Sequence, residues 1–483
     1  MSTSEHESFF RYTSGRWIWD EDQQLRDRYK VFDVSELQNA AINALKSGSC
    51  VSMVKLAEDC ARIPNPNAGA PFYTTASEVA TMELVRTALE IPVPRVYAWS
   101  TIANNPLVDE PGSGPKLAIM KEVASIERKL SSLSFSHYGS IYFANDSVEG
   151  ALPAEITSDV SSELKEAVAK RFTNGPSANR GFWNKERSTM DISRGPLFLK
   201  QTPADYALSV GRREIAWIKR YAAQRATDDS PYASASQRSP EAHIQLLEKF
   251  LEIAPHLVDI DKCFLRSVIW HGDLHSSNLF VDDNHISSVI DWQGVWAGPL
   301  FLQAKPSPLV DYQGSILLKR PENFDDLDEG LQVEIKQQIA RSTLFQLYLI
   351  QTEEENPTLA RCFHLDHGKT RRLPVEYAGD TWIDDIVSFR EALINVERYW
   401  TELGLQGECP IHFTKDDLKN HLQEAEGWNE VQDFFDRIEG VVKRDAVKFF
   451  SDLRNAGLQN VRGEERKRLE KETRWVDTIS GRK

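Results

Sequence analysis

Two carboxylates and an amide are spaced for chemistry within one short stretch. Residues 268–298 begin Val-Ile-Trp-His-Gly-Asp-Leu-His-Ser-Ser-Asn-Leu-Phe-Val, so that His271 and Gly272 precede Asp273, and four residues separate Asp273 from Asn278. A turn at Asp282-Asp283-Asn284-His285 follows, then an apolar run that ends in Asp291-Trp292. Phosphoryl transfer asks for this set of groups: a carboxylate beside the attacking hydroxyl, and oxygen ligands for the magnesium that bridges the phosphates. A loop carrying Asp273 and Asn278 aims the first at the acceptor and the second at the metal. A hairpin over residues 279–290 then returns Asp291 to the same ion.

Less specific readings compete. A His-Gly-Asp tripeptide alone is ordinary turn chemistry, and only Asn278 and the second Asp, each beside an apolar strand, lift it above that. Gly272-Asp273-Leu274-His275 also fits the G-D-x-H loop of metallophosphoesterases. That reading needs further ligands such as G-N-H-E, which the sequence lacks, and Gly379-Asp380 is isolated. His275 reads as a hydrogen-bonding residue, because magnesium prefers oxygen. H-x-D-x-x-x-x-N followed by a strand ending in Asp is the pattern of a kinase catalytic loop and its metal-binding aspartate. With Gly after His, the stretch resembles the loop of the aminoglycoside phosphotransferase and choline kinase family. Tyr12-Thr-Ser-Gly-Arg-Trp17, Ala61-Arg-Ile-Pro-Asn-Pro-Asn-Ala-Gly69, Tyr73-Thr-Thr-Ala-Ser-Glu-Val-Ala80 and Glu426-Gly-Trp-Asn-Glu-Val-Gln-Asp433 are similar to a fungal branch related to altered inheritance of mitochondria protein 9. The resemblance covers roughly residues 10–476. It implies ATP and Mg2+, a small-molecule acceptor, Asp273 as catalytic base, and Asn278 and Asp291 as metal ligands.

The elements around the motif bear on the nucleotide. A helix is predicted from about Thr75, with Thr75 as N-cap, Glu78 completing a capping box, and Val79, Met82, Val85 and Leu89 as its apolar stripe. In the kinase fold this helix presents a Glu that pairs with a basic residue on the preceding strand. Here the candidates are Glu78 and Arg62, as nucleotide-phosphate braces, and a plain cap remains the other reading of Glu78. Arg in place of the usual Lys still offers a planar fork to phosphate and carboxylate. Ile91–Trp99, with its prolines, predicts an edge strand, and Lys116–Met120 a strand leading to a helix from Val123. A helix at 34–47, a strand-like run at 51–63, an irregular region at 145–205 and a helix at 204–225 follow the same reasoning. Ser239-Pro240 starts another helix, Ser as cap and Pro in the first turn. Residues 328–352 and 378–403 are predicted helical, with Trp382, Ile386, Phe389, Leu393, Val396 and Trp400 as a core stripe. The charged tail 457–474 reads as a solvated helix.

Composition bounds the partners. At 483 residues, 41% hydrophobic and 27% charged, the chain has the make-up of a large globular protein. A net charge of -15 argues against nucleic acid or an anionic membrane as partner. No apolar run reaches the ~18 residues that span a bilayer. Five scattered cysteines without C-x-x-C pairing read as reduced thiols. Glu5, Glu7, Asp20 and Glu21 interrupt any basic presequence face, whereas the family resemblance implies a mitochondrial location; a cytoplasmic one is the other expectation.

One expected part is missing. A kinase covers the nucleotide phosphates with a glycine-rich hairpin, yet between Gly15 and Gly69 the only glycine is Gly48. Only Asp59 and Cys60 stand between Leu56-Ala-Glu58 and Ala61, where relatives of this kind carry an extra strand, and the hinge after Met120 and a connection near Arg444-Asp445 are short as well. The predicted fold is therefore α+β, kinase-like and two-lobed: a truncated N-terminal lobe, residues 1–122, and a large helical C-terminal lobe, residues 123–483. The expected function is ATP- and magnesium-dependent phosphorylation of a small-molecule hydroxyl, with a pseudokinase-type scaffold as the contrasting expectation.

Overall fold

The computed structural model describes residues 34–45, 71–96, 116–179, 202–223, 234–282, 285–310, 314–379 and 386–426, with residues 182–183, 186–187, 190, 312 and 381–382 besides. Arg62, the run at 51–63 and the tail at 457–474 lie outside them. The described chain mixes many helices with short antiparallel strands.

Two helices precede the first strand cluster: α1 (Val34–Leu45) and α2 (Pro71–Ala88). The predicted stripe of α2, Val79, Met82, Val85 and Leu89, is buried. Its start is not where the capping box put it. Pro71 opens the helix, which a proline in the first turn suits well, so Thr75 lies in the second turn and is no N-cap. Residues 90–96, the described part of the expected edge strand, continue as a non-strand segment whose Pro92 carbonyl accepts from Val289 N at 2.8 Å. A larger correction concerns residues 116–120. They are the first turns of one unbroken helix, α3 (Lys116–Ser132), not a strand. The buried pairs Ile119–Met120 and Val123–Ala124, then Ile126–Glu127 and Leu130–Ser131, recur with helical period, and Leu, Ala, Met, Lys and Glu are good helix formers.

The region predicted as irregular holds structure of its own. Within residues 145–205 lie β3 (Leu152–Pro153), α4 (Ser162–Arg171) and β4 (Phe172–Gly175), and ahead of them stand β1 (Ser134–Phe135) and β2 (Ser140–Phe143). Ser161 caps α4 by accepting from Leu164 N at 3.2 Å. Strand order in one antiparallel sheet is β2-β4-β3. The helices α5 (Pro203–Tyr221) and α6 (Pro240–Leu257) start at Thr202 and Ser239, each side chain accepting from the backbone three residues on, with Pro in the first turn. The Ser239 cap stands where the sequence placed it, and of the apolar face expected on this helix, Ile244, Leu247, Phe250 and Leu251, Leu247 and Phe250 are buried while Ile244 and Leu251 are partly buried against the same core.

Strand β5 (Ser267–Ile269) delivers the chain to the motif, β6 (Leu279–Asp282) and β7 (His285–Val289) form its hairpin, and β8 (Ala297–Pro299) returns beside β5 in the order β1-β5-β8. Gly298 is needed there, because a Cβ would sit 2.4 Å from the Trp296 ring. A short helix α7 (Leu300–Gln303) precedes the long α8 (Glu329–Glu355), α9 (Pro357–Phe363), α10 (Gly368–Tyr377) and α11 (Ile386–Arg398). The single helix expected over 378–403 is thus only α11, but the stripe from Trp382 to Trp400 is buried throughout, in one core with α5 and α6. A second core joins α2 and α3 to the β6–β7 hairpin. No helix among the described residues is long and apolar enough to cross a membrane.

Glu127, wholly buried where α3 meets α8, accepts a 2.6 Å bond from Tyr348 Oη. Burial outweighs that bond and pushes the carboxyl up to about 8. An unfolded Glu releases its proton near ~4.3, so the folded state binds more protons between that value and about 8. The contribution of Glu127 to stability is therefore fully present at low pH and falls as pH rises through this window. Glu127→Gln keeps an acceptor for Tyr348 and cannot ionise. Urea unfolding at pH 5 and pH 8 should show a smaller pH difference in the variant, with a gain in stability at pH 8.

Candidate active site

The site is assembled from both ends of the β6–β7 hairpin and the loop after β5. His271 is buried and neutral in its preferred form, since desolvation holds its pKa below the usual histidine value. Its Nε2 lies 2.9 Å from the Ile290 carbonyl, so Nε2 carries the proton, and Nδ1 accepts from Asp273 N at 3.3 Å. One imidazole thus ties the residue before Asp291 to the backbone of Asp273. Trp292, fully buried, stacks edge-on against His271 at 4.7 Å and donates from Nε1 to the Val289 carbonyl at 2.9 Å.

Asp273 stands at the surface of this frame with 61% of its side chain exposed. Asn278 is buried and donates from Nδ2 to Asp273 O at 2.9 Å and to Asp273 Oδ2 at 3.3 Å. His275 Nε2 lies 3.5 Å from Asp273 Oδ2 and 3.3 Å from Asn278 Nδ2, in the hydrogen-bonding role expected of it. Asn278 O accepts from Ile290 N at 3.0 Å, which brings the metal-ligand candidate Asp291 alongside. Asp291 has φ +60° and Gly294 φ +70°, a left-handed turn that aspartate tolerates better than most residues and that often marks functional sites. Asp273, Asn278 and Asp291 are therefore brought together.

From outside the motif, Glu122 on α3 grips the hairpin, pairing with His285 Nδ1 at 2.5 Å and accepting from Ile286 N at 2.6 Å. Glu78, half-buried on α2, is not among the side chains that line the cavity described next; its partner candidate Arg62 lies outside the described residues.

A cavity of about 560 Å³ opens beside Asp273 and Asp291. Its aromatic wall includes Tyr206 and Trp296, stacked at 4.9 Å, and Trp270 and Phe182. Asn179, Gln293 and Gln303 supply amides, and Lys305 and Glu376 an ion pair at 3.1 Å. None of these lining residues was found from sequence. Lys305 and Glu376 stand 71 positions apart in a loop and on α10, and no local motif joins them.

The donor set suits magnesium. Asn278 commits its amide nitrogen to Asp273, which leaves the amide oxygen for a cation, and Asp291 adds a carboxylate. Magnesium takes one or two protein oxygens and completes its shell with water and phosphate. Among the described residues no group of three or more His, Cys, Asp or Glu side chains forms a fuller cage.

A model described as the phosphotransferase enzyme family matches residues 199–301, from α5 through the hairpin into α7. Over that segment the chain is similar to the phosphotransferases. It is 28% identical over 436 residues to a subtelomeric hrmA-associated cluster protein of Aspergillus fumigatus, covering 79% of this chain and 82% of that one. It is 23% identical over 447 residues to altered inheritance of mitochondria protein 9, mitochondrial, of Saccharomyces cerevisiae, covering 82% of this chain and 70% of that protein. The protein of that name from Yarrowia lipolytica is 23% identical over 487 residues, covering 88% and 82%. No solved structure matches the chain. The branch named from the strings around Tyr12, Ala61 and Tyr73 is the one these relatives represent.

Proposed function

We propose that this protein moves a phosphoryl group from ATP to the hydroxyl of a small molecule. The observation that carries the reading is the junction of Asp273 with the cavity: a solvent-facing carboxylate, held by Asn278 and His271, at the mouth of a 560 Å³ space. Asp273 accepts the proton of the acceptor hydroxyl. Asn278 and Asp291 hold magnesium, which when bound neutralises charge developing on the phosphates. His271 locks the backbone of Asp273 to that of Ile290, so base and metal ligands move as one unit. Arg62 and Glu78 are the proposed braces for the nucleotide phosphates, and residues 1–122 and 123–483 the proposed lobes between which it sits. A mitochondrial location is part of the proposal, supported by the names of the Saccharomyces and Yarrowia relatives.

The test is transfer itself. Acceptor mixtures incubated with ATP and magnesium should yield a product heavier by one phosphoryl group, and chelation of magnesium should abolish it. A second reading, a binding protein without transfer, is favoured by the sparse glycine before Gly69 and by a helix at Lys116–Met120 where a hinge strand was expected. A one-sided grip leaves the triphosphate solvated and its contacts screened. Thermal unfolding in millimolar Mg-ATP should accordingly shift little: at a tenth of the dissociation constant the stabilisation is below roughly 0.1 kcal/mol, against about 2.7 kcal/mol at a hundred times it. A small shift with phosphorylated product supports weak-binding catalysis. A small shift with no product from any acceptor supports the second reading.

A further inference from the structure

The cavity beside Asp273 carries an ion cluster whose charges do not cancel. Glu376 Oε1 lies 3.1 Å from Lys305 Nζ and 3.0 Å from Arg372 Nε, so one carboxylate is shared by two cations. Arg372 and Glu376 are one helical turn apart on α10, and Arg372 is largely buried, with 15% of its side chain exposed. Lys305 has 53% exposed and lines the cavity. The cluster therefore presents a net charge of one positive unit, with Lys305 as its outward face. An ammonium group has three donors, and the carboxylate beside it does not use them all.

The other two carboxylates of the cavity, Asp273 and Asp291, are assigned to the hydroxyl and to magnesium. A cationic acceptor would need a further carboxylate free to meet it, and Glu376 is already matched twice. We infer that the acceptor carries an oxyanion, a carboxylate or a phosphate, in addition to its hydroxyl, and that Lys305 is the residue that selects it. This rests on the phosphotransfer reading above. The rest of the wall suits a compact polar ring: the stacked Tyr206–Trp296 pair offers a flat apolar face, and Asn179, Gln293 and Gln303 can meet hydroxyls. Gln303 already donates from Nε2 to the Val268 carbonyl at 2.9 Å, which leaves its side-chain oxygen to accept.

The experiment isolates the cluster from the catalytic charges. Full-length protein carrying both Asp273→Asn and Asp291→Asn, without nucleotide, is titrated calorimetrically with four ring probes of similar size: glucuronate, glucose 6-phosphate, glucose and glucosamine. Either anion should bind roughly 10- to 100-fold more tightly than glucose, the scale of a hydrogen bond to a charged group, and glucosamine more weakly than glucose. The two anions separate a carboxylate preference from a phosphate preference. Lys305→Gln should erase the anion advantage, and Lys305→Glu should reverse the order in favour of glucosamine. Because Lys305 is half exposed, neither change threatens the fold, and circular dichroism of both variants checks this. Glucosamine binding best without the lysine change, neither anion exceeding glucose, or an anion advantage that survives Lys305→Gln would each overturn the inference. Turnover of unaltered protein with Mg-ATP is read separately. Anion selectivity without transfer would sink the phosphotransfer reading alone, while transfer to a cationic acceptor would sink this one alone.

Discussion

Asp273→Asn should lower magnesium-dependent phosphoryl transfer about 10²–10⁴-fold, the usual scale for removing a positioned general base. The substitution is nearly isosteric, and its remaining side-chain oxygen can still accept from Asn278 Nδ2, which lies 3.3 Å from Asp273 Oδ2. The backbone ties from Asp273 N to His271 and from Asn278 Nδ2 to Asp273 O persist as well. What is lost is the capacity to take a proton. The loss should therefore fall on kcat, with KM for ATP nearly unchanged. Asp291→Ala should behave differently, since it removes one of two proposed protein oxygens from magnesium and so weakens nucleotide binding too. Steady-state kinetics over a magnesium titration separates the two. Unchanged turnover in Asp273→Asn, in a preparation whose parent is active, would remove Asp273 from the chemistry.

How far this site was legible in the sequence depended on how local each part is. Asp273, Asn278 and Asp291 fall within 19 residues, and their spacing is imposed by a loop and a hairpin that must converge on one ion. That constraint is short-range, so it survives in the bare sequence. The Ser239-Pro240 start and the Trp382–Trp400 stripe were readable for a similar reason: capping chemistry and helical period act over a few residues. The cavity wall was not. Lys305 and Glu376 meet only because α10 packs near the loop after α7, and nothing in Gln303-Ala304-Lys305-Pro306 announces a partner 71 positions away. Strands β1 to β4, two to four residues each, are too short for an alternating pattern to emerge. The misread run Lys116–Met120 illustrates the remaining ambiguity: five mostly apolar residues fit a strand, and only the burial that continues through Val123, Ala124 and Glu127 reveals the helix. Thr75 failed for a different reason. Its capping box was locally valid, but Pro71 begins the helix a turn earlier and tertiary burial of Ala76 and Ala80 keeps it helical.

The second large effect is on stability. Arg187 and Glu214 form an ion pair with each side chain 1% exposed: Nε donates to Oε2 at 3.1 Å, and Nη2 donates to Oε1 at 2.8 Å and Oε2 at 2.7 Å. The guanidinium lies over the Trp217 ring at 4.2 Å. Arg213 Nη2 then donates to the carbonyls of Phe182 at 3.1 Å and Arg187 at 2.6 Å. These bonds fasten Phe182, part of the cavity wall, onto α5. Removing one partner keeps the other charge buried but strips it of this bidentate contact, at a cost of about 3–5 kcal/mol. Arg187→Met should therefore lower the urea-unfolding free energy by that amount. The double replacement Arg187→Met, Glu214→Leu removes both charges of the pair, leaves Arg213 on its two backbone carbonyls and should recover much of the loss, because an apolar pair of similar volume is often as stable as the ion pair it replaces. The single and double variants together measure the coupling. If Arg187→Met cost under about 1 kcal/mol, the pair would be no more than a surface-grade bridge. A double variant that unfolds as readily as the single one would show instead that the guanidinium is needed for its contact with Trp217 rather than as counter-ion to Glu214.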